Sequence, residues 1–151
     1  MSVKLIMKNH DRLILAINDI AGSTEKGARQ GLYKVGRILK ATANKNILEK
    51  PKAGKTYFIR RGRSGRRFKH VASAAGESFA NKSGAARKTL GFDVRGSSSV
   101  EFGFRRNAAT DYVSILENEK QLNRPTLKIA IKQNQRNAVK LLEDEIRKAM
   151  K

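Results

Sequence analysis

The sequence predicts an α+β fold in a single domain, in which a small antiparallel sheet packs against a long N-terminal helix and a C-terminal helix. Three observations lead to this prediction. Apolar residues recur at helical spacing near both ends of the chain, short alternating segments typical of strands lie in the middle, and glycine- and serine-rich turns separate those segments. The length of 151 residues suits one hydrophobic core.

The N-terminal region predicts a short strand followed by a helix. Residues Val3 to Met7 could form the strand. The helix begins at about Asp11, and the pair Gly22-Ser23 is expected to interrupt it, because glycine weakens a helix and serine favours a cap. Its apolar residues are Leu13, Ile14, Ile17 and Ile20.

A longer helix is predicted from about Thr24 to Glu49, where Pro51 ends it. Three glycines interrupt its sequence, and each costs roughly 1 kcal/mol relative to alanine. Close packing against another helix or another subunit would explain these glycines, and so would simple imperfection of the helix. The apolar stripe consists of Ala28, Leu32, Val35, Leu39, Ala43 and Ile47, and the glycines are Gly27, Gly31 and Gly36.

Two hairpins are predicted after this helix. In the first, strands at 56–59 and 67–71 flank a turn at 62–65, and a loop of small residues follows over 72–84. In the second, strands at 89–94 and 99–104 are joined by a turn at Gly96-Ser97. Alternation places three apolar side chains of the last strand on one face, namely Val100, Phe102 and Phe104.

The C-terminal region predicts a short apolar element over 111–116 and then a helix that begins at Pro125. The acidic cluster 143–145 is expected to face solvent on this helix. The apolar stripe is predicted to consist of Leu127, Ile131, Ala138, Leu142 and Ile146.

Net charge is the strongest compositional feature, since 33 lysines and arginines against 13 acidic residues give +20. The charge is concentrated in a basic hairpin and loop at about 51–84, where no acidic residue stands between Glu49 and Glu77. Such a segment predicts a partner contact, and we expect it to be mobile until that partner orders it. The contact residues are predicted to be Lys52, Lys55, Arg60, Arg61, Arg63, Arg66, Arg67 and Lys69.

Three interpretations of this basic segment remain open. Aromatic residues interleave with the arginines between Tyr57 and Phe68, an arrangement that suits contact with nucleic acid by phosphate neutralisation and stacking. Docking on an acidic protein surface fits the same residues. The third interpretation is a solvated loop.

Catalytic and ligand-binding motifs are weak throughout. The chain has no cysteine and only two histidines, His10 and His70, so no zinc site is expected. The segment Gly54-Lys55-Thr56 resembles the end of a phosphate-binding loop, but that motif requires glycine where Glu49 stands. We expect no enzymatic activity, no cofactor and no small-molecule substrate.

Targeting features are equally weak. The apolar run at the N-terminus is short and broken by Lys4, and no segment is apolar enough for a membrane span. Synthesis in the cytoplasm without membrane insertion is therefore expected.

The stretch from Ala72 to Leu90 resembles the central segment of the tail-completion and head–tail joining proteins of long-tailed bacteriophages. In that family a run like Ala-Ser-Ala-Pro-Gly-Glu leads to Thr-Gly-x-Leu-x-x-Ser-Ile. Here Ser83-Gly84 stands at the Thr-Gly and Thr89-Leu90 at the Ser-Ile, while Ala75 replaces the proline and Ala86 the leucine.

Further matches occur in the same order along the chain. Residues 52–57 are similar to the family's Pro-Lys-x-Gly-x-x-Tyr. The segment from Tyr112 to Glu117 is similar to its Tyr-Ala-x-x-x-Glu, with Asn118-Glu119 in place of the following Gly-Thr. Arg124-Pro125 matches the Arg-Pro that precedes the last helix.

This resemblance implies a structural virion protein of the neck that is made in the host cytoplasm and joins the tail tube to the head. It implies a homo-oligomeric ring, six-fold by the same analogy, between neighbouring rings such as the head-completion and tail-terminator proteins. The basic hairpin would then meet either packaged DNA in the channel or acidic protein. The alternative function is that of a small basic DNA- or RNA-binding protein of nucleoid or ribosomal type.

Overall fold

The structure is a computed structural model that describes residues 10–49, 52–61, 65–80, 84–105 and 124–151. The predicted strand at 3–7 and the predicted element at 111–116 lie outside these residues. The elements described are, in chain order, α1 (His10–Leu48), β1 (Thr56–Arg61), β2 (Arg66–Val71), α2 (Ala85–Thr89), β3 (Leu90–Arg95), β4 (Ser99–Phe104) and α3 (Thr126–Ala149).

The predicted α+β architecture is confirmed. Helices α1 and α3 pack along each other, β3 and β4 lie against α1, and β1 pairs with β2 in a separate two-stranded sheet. Both sheets are antiparallel. None of the helices in the described ranges is both long enough and apolar enough to cross a membrane.

The glycines of α1 allow this helix to approach two other elements closely, namely α3 and β3. A Cβ added to Gly27 would lie 2.8 Å from the backbone oxygen of Glu145, and one added to Gly31 would lie 3.0 Å from the Cα of Leu142, both on α3. A Cβ at Gly36 would overlap the ring of Phe92 on β3. Close packing against another helix therefore explains the first two glycines.

The core joins the C-terminal part of α1 to the second hairpin and to α3. Ala43, Leu90 and Ala130 are buried together, with Phe102, Phe104 and Leu127 packed against them. A second cluster contains Ile47, Phe79 and Ala86, also against Phe104. The predicted α1 stripe is confirmed from Leu32 to Ile47, since Leu32, Val35, Leu39, Ala43 and Ile47 are all buried.

The predicted interruption of the first helix at Gly22-Ser23 is wrong, because α1 continues through this pair without a break. The hydroxyl of Thr24 donates a hydrogen bond to the carbonyl of Ile20 at 2.8 Å. Among the described residues, no atom outside the helix lies within 4 Å of a Cβ built at Gly22. One exposed glycine costs a helix roughly 1 kcal/mol, which is too little to end it when both flanks are helical.

The predicted apolar stripe of α3 is partly wrong, because Ile131 is 48% exposed whereas Thr126 and Ala130 are fully buried. Ala130 packs against Ala43 of α1, and Thr126 contacts the loop at Ser78 and Phe79. The acidic cluster was also expected to face solvent, but Glu145 is buried. At the N-terminal end of β3, Thr89 belongs to α2 rather than to the strand.

A buried hydroxyl pair anchors the loop after the first hairpin to the beginning of α3. The hydroxyls of Ser78 and Thr126 lie 2.8 Å apart, and the backbone N–H of Phe79 donates to the hydroxyl of Thr126 at 3.2 Å. These bonds place the end of the hairpin loop directly beside the Arg124-Pro125 segment.

Candidate functional site: the basic hairpin

The hairpin formed by β1 and β2 has two chemically different faces. Its register pairs Thr56 with Val71 and continues to Arg61 opposite Arg66. Residues directly opposite each other share a face of an antiparallel pair. One face therefore carries Tyr57, Ile59, Phe68 and His70, and the other carries Phe58, Arg60, Arg67 and Lys69.

The aromatic side chains of this hairpin are exposed. Phe58 is 71% exposed, and Tyr57 and Phe68 are each about half exposed. The ammonium nitrogen of Lys55 lies 5.9 Å from the centre of the Tyr57 ring, within the distance of a cation–π contact. Exposed aromatic rings beside cations are typical of surfaces that bind a partner.

The cationic face sets like charges against each other. On this face Arg60 stands opposite Arg67. Like charges at directly opposed positions destabilise a strand pair, and a two-stranded sheet is marginally stable in water. Negative charge from a partner would relieve this repulsion.

The carboxylate of Glu77 fastens the base of the hairpin. Its Oε2 accepts hydrogen bonds from the backbone N–H of Ala74 at 2.9 Å and of Ala53 at 3.2 Å, on the two sides of the hairpin. These two bonds, that from Ala74 first, hold the pKa of Glu77 below its usual value, and the nearby Lys52 acts in the same direction. Gly76, with φ of 83°, provides the left-handed turn that brings Glu77 back to the base.

The Gly54-Lys55-Thr56 segment extends the hairpin ladder rather than forming a phosphate-binding loop. The N–H of Gly54 donates to the carbonyl of Ala72, and the N–H of Ala72 donates to the carbonyl of Lys55, each at 3.0 Å. A Cβ at position 54 would lie 2.6 Å from the Ala72 carbonyl oxygen. Glycine is therefore required here by the close approach of two backbones.

The structure separates the predicted contact residues into two groups. Lys55, Arg60, Arg67 and Lys69 are exposed. Lys52 instead donates from its ammonium group to the carbonyl of Asn46 at 2.9 Å, which ties the hairpin base to the end of α1. Arg63 lies outside the described residues, and Arg61 and Arg66 are placed only by their backbone positions.

Three of the six residues predicted from the family motifs are described by the structure, and these three lie at junctions between elements. Gly84, with φ of 80°, precedes α2, and Arg124 and Pro125 precede α3, where the N–H of Ile129 donates to the carbonyl of Pro125 at 3.0 Å. Ser83, Tyr112 and Glu117 lie outside the described residues.

Sequence reasoning missed the structural role of Glu77, which it used only as the boundary of the basic segment and as the last residue of the Ala-Ser-Ala-Ala-Gly-Glu run. Its isolation was the available indication, because it is the only acidic residue between Glu49 and Asp93. A single carboxylate inside so basic a segment is well suited to accept backbone hydrogen bonds.

Within the described ranges, no group of three or more acidic, histidine or cysteine side chains could hold a metal ion. Comparison of the chain with protein-family models, curated proteins and solved structures gives no match. The resemblance to tail-completion proteins therefore rests on the order of the motifs in the sequence.

Proposed function

We propose that this chain is a structural protein of the bacteriophage neck, which joins the tail tube to the head as a subunit of a ring in the virion. The observation that carries the proposal is the two-faced hairpin, whose strands β1 and β2 pair only with each other in the described residues. The body of the fold is formed separately by α1, α3 and the second hairpin. A subunit of this form can use its body for one contact and its hairpin for another.

The motif positions support the family assignment. The Ala-Ser-Ala-Ala-Gly-Glu run forms the base of the hairpin through Glu77. The Arg-Pro pair opens α3 beside the buried contact of Ser78 with Thr126. Both motifs therefore define how the hairpin is attached to the body, which is the property that a joining protein has to preserve.

The ring contact in this proposal cannot be the glycine face of α1, because α3 and β3 already cover that face. A better candidate is the N-terminal part of α1. Ala149, at the end of α3, lies beside Gly27, and α1 continues from there back to His10. In this part Ile20 is 57% exposed and continues the helical spacing of Leu13, Ile14 and Ile17. Packing of this segment on a neighbouring copy would build the six-fold ring.

In the assembled neck the hairpin would reach a neighbouring ring, such as that of the head-completion or tail-terminator protein. Its exposed aromatic rings would supply buried apolar area, and its arginines would meet carboxylates or the phosphates of packaged DNA. Burial of both faces would also offset the repulsion between the opposed arginines.

The alternative is a small basic DNA- or RNA-binding protein of nucleoid or ribosomal type. The specific observation in its favour is the pairing of exposed aromatic rings with arginines on one hairpin, which suits base stacking and phosphate contact equally well. Such a protein would act as a free monomer or dimer and would not be a stoichiometric part of a particle.

The two functions are separated by locating the chain in particles. We expect a reconstruction of virions from a phage that encodes it to show a closed ring of this chain between head and tail. Deletion of its gene should leave filled heads and complete tails that do not join. Virions that lack the chain, or joined particles produced without it, would contradict the proposal.

A further inference from the structure

One face of α1 is exposed from its N-terminal turns to its middle. Its residues recur at spacings of three and four, so they lie on the same side of the helix. Each of them is exposed. This Tyr33 face consists of Asp19, Gly22, Lys26, Gln30, Tyr33 and Arg37.

The contacts of α1 that are already assigned lie on other sides of the helix. Gly27, Gly31 and Lys34 meet α3, and none of them belongs to the Tyr33 face. Ile20, which the proposed ring contact uses, follows Asp19 directly and therefore lies about 100° away from it around the helix axis. The Tyr33 face is thus a further surface of this helix.

Tyr33 is the aromatic centre of this face. It is 55% exposed, and its ring packs edge-to-face on Phe92 of β3, with the ring centroids 5.3 Å apart. It borders a groove of about 390 Å³ that Gln30 and Arg37 also line. Tyrosine and arginine are the residue types that dominate binding energy at protein interfaces. An exposed tyrosine that a second ring holds in place, with an arginine one turn away, therefore indicates a contact surface for another protein.

Gly22 has no packing role among the described residues. The other glycines of α1, at positions 27, 31 and 36, each meet a neighbouring element, but no described atom outside the helix lies within 4 Å of a Cβ built at Gly22. A glycine inside a helix lowers its stability. The missing side chain leaves space on the surface of α1 that a large side chain from another molecule can occupy.

The Tyr33 face is complementary to itself when two α1 helices lie antiparallel. If the two-fold axis passes midway between Lys26 and Gln30, Lys26 of one copy stands opposite Gln30 of the other. Asp19, at one end of the face, then stands opposite Arg37, at the other end. Each pair occurs twice, because the contact is symmetric. An ammonium group meets an amide and a carboxylate meets a guanidinium, so both pairs are favourable.

The same alignment brings the aromatic ring to the glycine. Gly22 lies three residues after Asp19, and Tyr33 lies four residues before Arg37. The ring of Tyr33 in one copy is therefore placed over Gly22 of the other, where no side chain obstructs it. A second copy of the chain thus fits this face in both charge and shape, whereas a nucleic acid would bring phosphates towards Asp19.

We propose that two copies of this chain pair through the Tyr33 face, as an antiparallel dimer with two-fold symmetry. Two rings of Tyr33 would be buried over the two Gly22 positions, and two ion pairs between Asp19 and Arg37 would fix the register. The face is small for a protein interface, so the dimer should be weak, with a dissociation constant between micromolar and millimolar. The proposal concerns the free chain and does not rest on the proposed place in a virion.

Sedimentation equilibrium of the full chain measures this dimer. The salt concentration is set at about 0.15 M, where the repulsion between distant charges is largely screened. Arg37→Asp should raise the dissociation constant about tenfold, because both ion pairs become repulsive, although the substitution lowers the net positive charge. An unaltered chain that stays monomeric up to millimolar concentration would overturn the proposal.

A charge exchange tests the register. Asp19→Arg/Arg37→Asp should return the dissociation constant to that of the unaltered chain, because the exchanged charges meet again across the axis. The matched controls are Glu143→Arg and Arg136→Asp, which make the same charge changes at exposed positions of α3 and should alter the dimer little. No recovery in the double variant, or equal effects in the controls, would overturn the proposal.

Gly22→Gln separates pairing from folding. Glutamine is the better helix former, and no described atom outside the helix obstructs it, so the melting temperature of the dilute, monomeric chain should rise. The dissociation constant should also rise, by about tenfold, because the new side chain fills the space of the Tyr33 ring. A stabilised variant that dimerises as well as the unaltered chain would contradict the burial of Tyr33 over Gly22.

Cross-linking tests the direction of the helices, since the chain has no cysteine of its own. An equimolar mixture of the variants Asp19→Cys and Arg37→Cys is oxidised, and its disulfides are identified by mass spectrometry. The mixed disulfide should predominate. In an antiparallel pair the two copies of position 19 lie about 27 Å apart along the helices, whereas a disulfide requires Cα atoms within about 7 Å. Predominance of disulfides between identical positions would overturn the proposal.

Discussion

Glu145 of α3 lies 2.8 Å from the ammonium nitrogen of Lys34 on α1, through its Oε1. The same oxygen accepts a hydrogen bond from Lys148, one turn further along α3, at 2.9 Å. The residue is only 6% exposed, so these two lysines provide the charge compensation that a buried carboxylate requires. The hydrogen bond from Lys34, followed by that from Lys148, holds the pKa of Glu145 below its usual value.

Replacement of Glu145 by glutamine should lower the free energy of unfolding at pH 7, because both lysines lose their carboxylate. A carboxyl group whose pKa is lowered in the folded state stabilises that state above its unfolded pKa. This stabilisation is lost as the pH falls through the lower, folded value. The difference in unfolding free energy between the unaltered chain and Glu145→Gln should thus be constant from pH 7 to about 5. It should become smaller below pH 4.5.

Denaturant unfolding at a series of pH values measures this gap. Glu143→Gln is the matched control, because Glu143 is exposed on the same helix and loses the same charge. It should change the unfolding free energy little, as exposed charges generally do. An equal loss of stability in both variants would mean that the contact between Lys34 and Glu145 does not stabilise the pairing of α1 with α3.

Two glycines of α1 should respond to alanine in opposite directions. Gly22→Ala should stabilise the protein by about 0.5–1 kcal/mol, since it improves an exposed helix where no atom of the described residues outside the helix lies within 4 Å of the new Cβ. Gly27→Ala should destabilise it by about 1–3 kcal/mol, because the new Cβ meets the backbone of α3. Urea unfolding of the two variants gives both values. Stabilisation by Gly27→Ala would contradict the close approach of α1 and α3.

The sequence predicted elements whose pattern is local. Both hairpins follow from alternation and turn glycines, and the α1 stripe follows from spacings of three and four. The packing side of α3 was predicted only in part, because it includes the small or polar residues Thr126, Ala130 and Asn134 beside the apolar ones. Apolar residues at helical spacing indicate Ile131 rather than these small or polar residues, although Ile131 is exposed. Two helices that approach closely require small residues at their contact. A pattern of hydrophobic residues does not reveal this requirement.

Within the candidate site, the sequence predicted the location of the basic hairpin but not its attachment. The division of the hairpin into two faces depends on the register of its strands. The sequence does not determine this register, because the length of the turn between the strands cannot be read from it. The contacts of Glu77 with Ala53 and of Lys52 with Asn46 join residues that become neighbours only when the hairpin closes on α1. The burial of Glu145 likewise required the position of Lys34, on a distant helix.

Glu77→Ala should loosen the base of the first hairpin while leaving the body intact. The substitution removes the acceptor of the Ala53 and Ala74 N–H groups, so the neighbouring amides of Gly54 and Ala72 should exchange hydrogen faster. Amides of α1 and α3 should keep their protection. Hydrogen exchange measured by NMR resolves the two regions.

The control for this variant is Glu49→Ala, which removes an exposed carboxylate near the same junction. It should leave exchange at Gly54 and Ala72 unchanged. If Glu77→Ala also left these amides protected, the backbone ladder alone would hold the hairpin base.

The arginines of the hairpin should be needed for joining heads to tails and not for folding. The test variant replaces Arg60, Arg61, Arg63, Arg66 and Arg67 by serine. Because Arg60 and Arg67 are exposed and opposed, their replacement removes repulsion and should leave the melting temperature unchanged or raised. In a phage that carries this variant we expect unjoined heads and tails, or poor retention of packaged DNA.

The matched control replaces five exposed cations outside the hairpin by serine, namely Lys26, Lys45, Lys88, Arg147 and Lys151. It should yield infectious particles at normal titre, because the total charge lost is the same but the hairpin is untouched.

A DNA titration across salt then identifies the partner. A slope that the arginine variant flattens by about 0.9 for each lost phosphate contact indicates DNA. An unchanged slope together with lost joining indicates carboxylates on an adjacent ring. If the arginine variant assembled infectious particles at the titre of the control, the hairpin would be a solvated loop, and the exposure of Phe58 and Tyr57 would need another explanation.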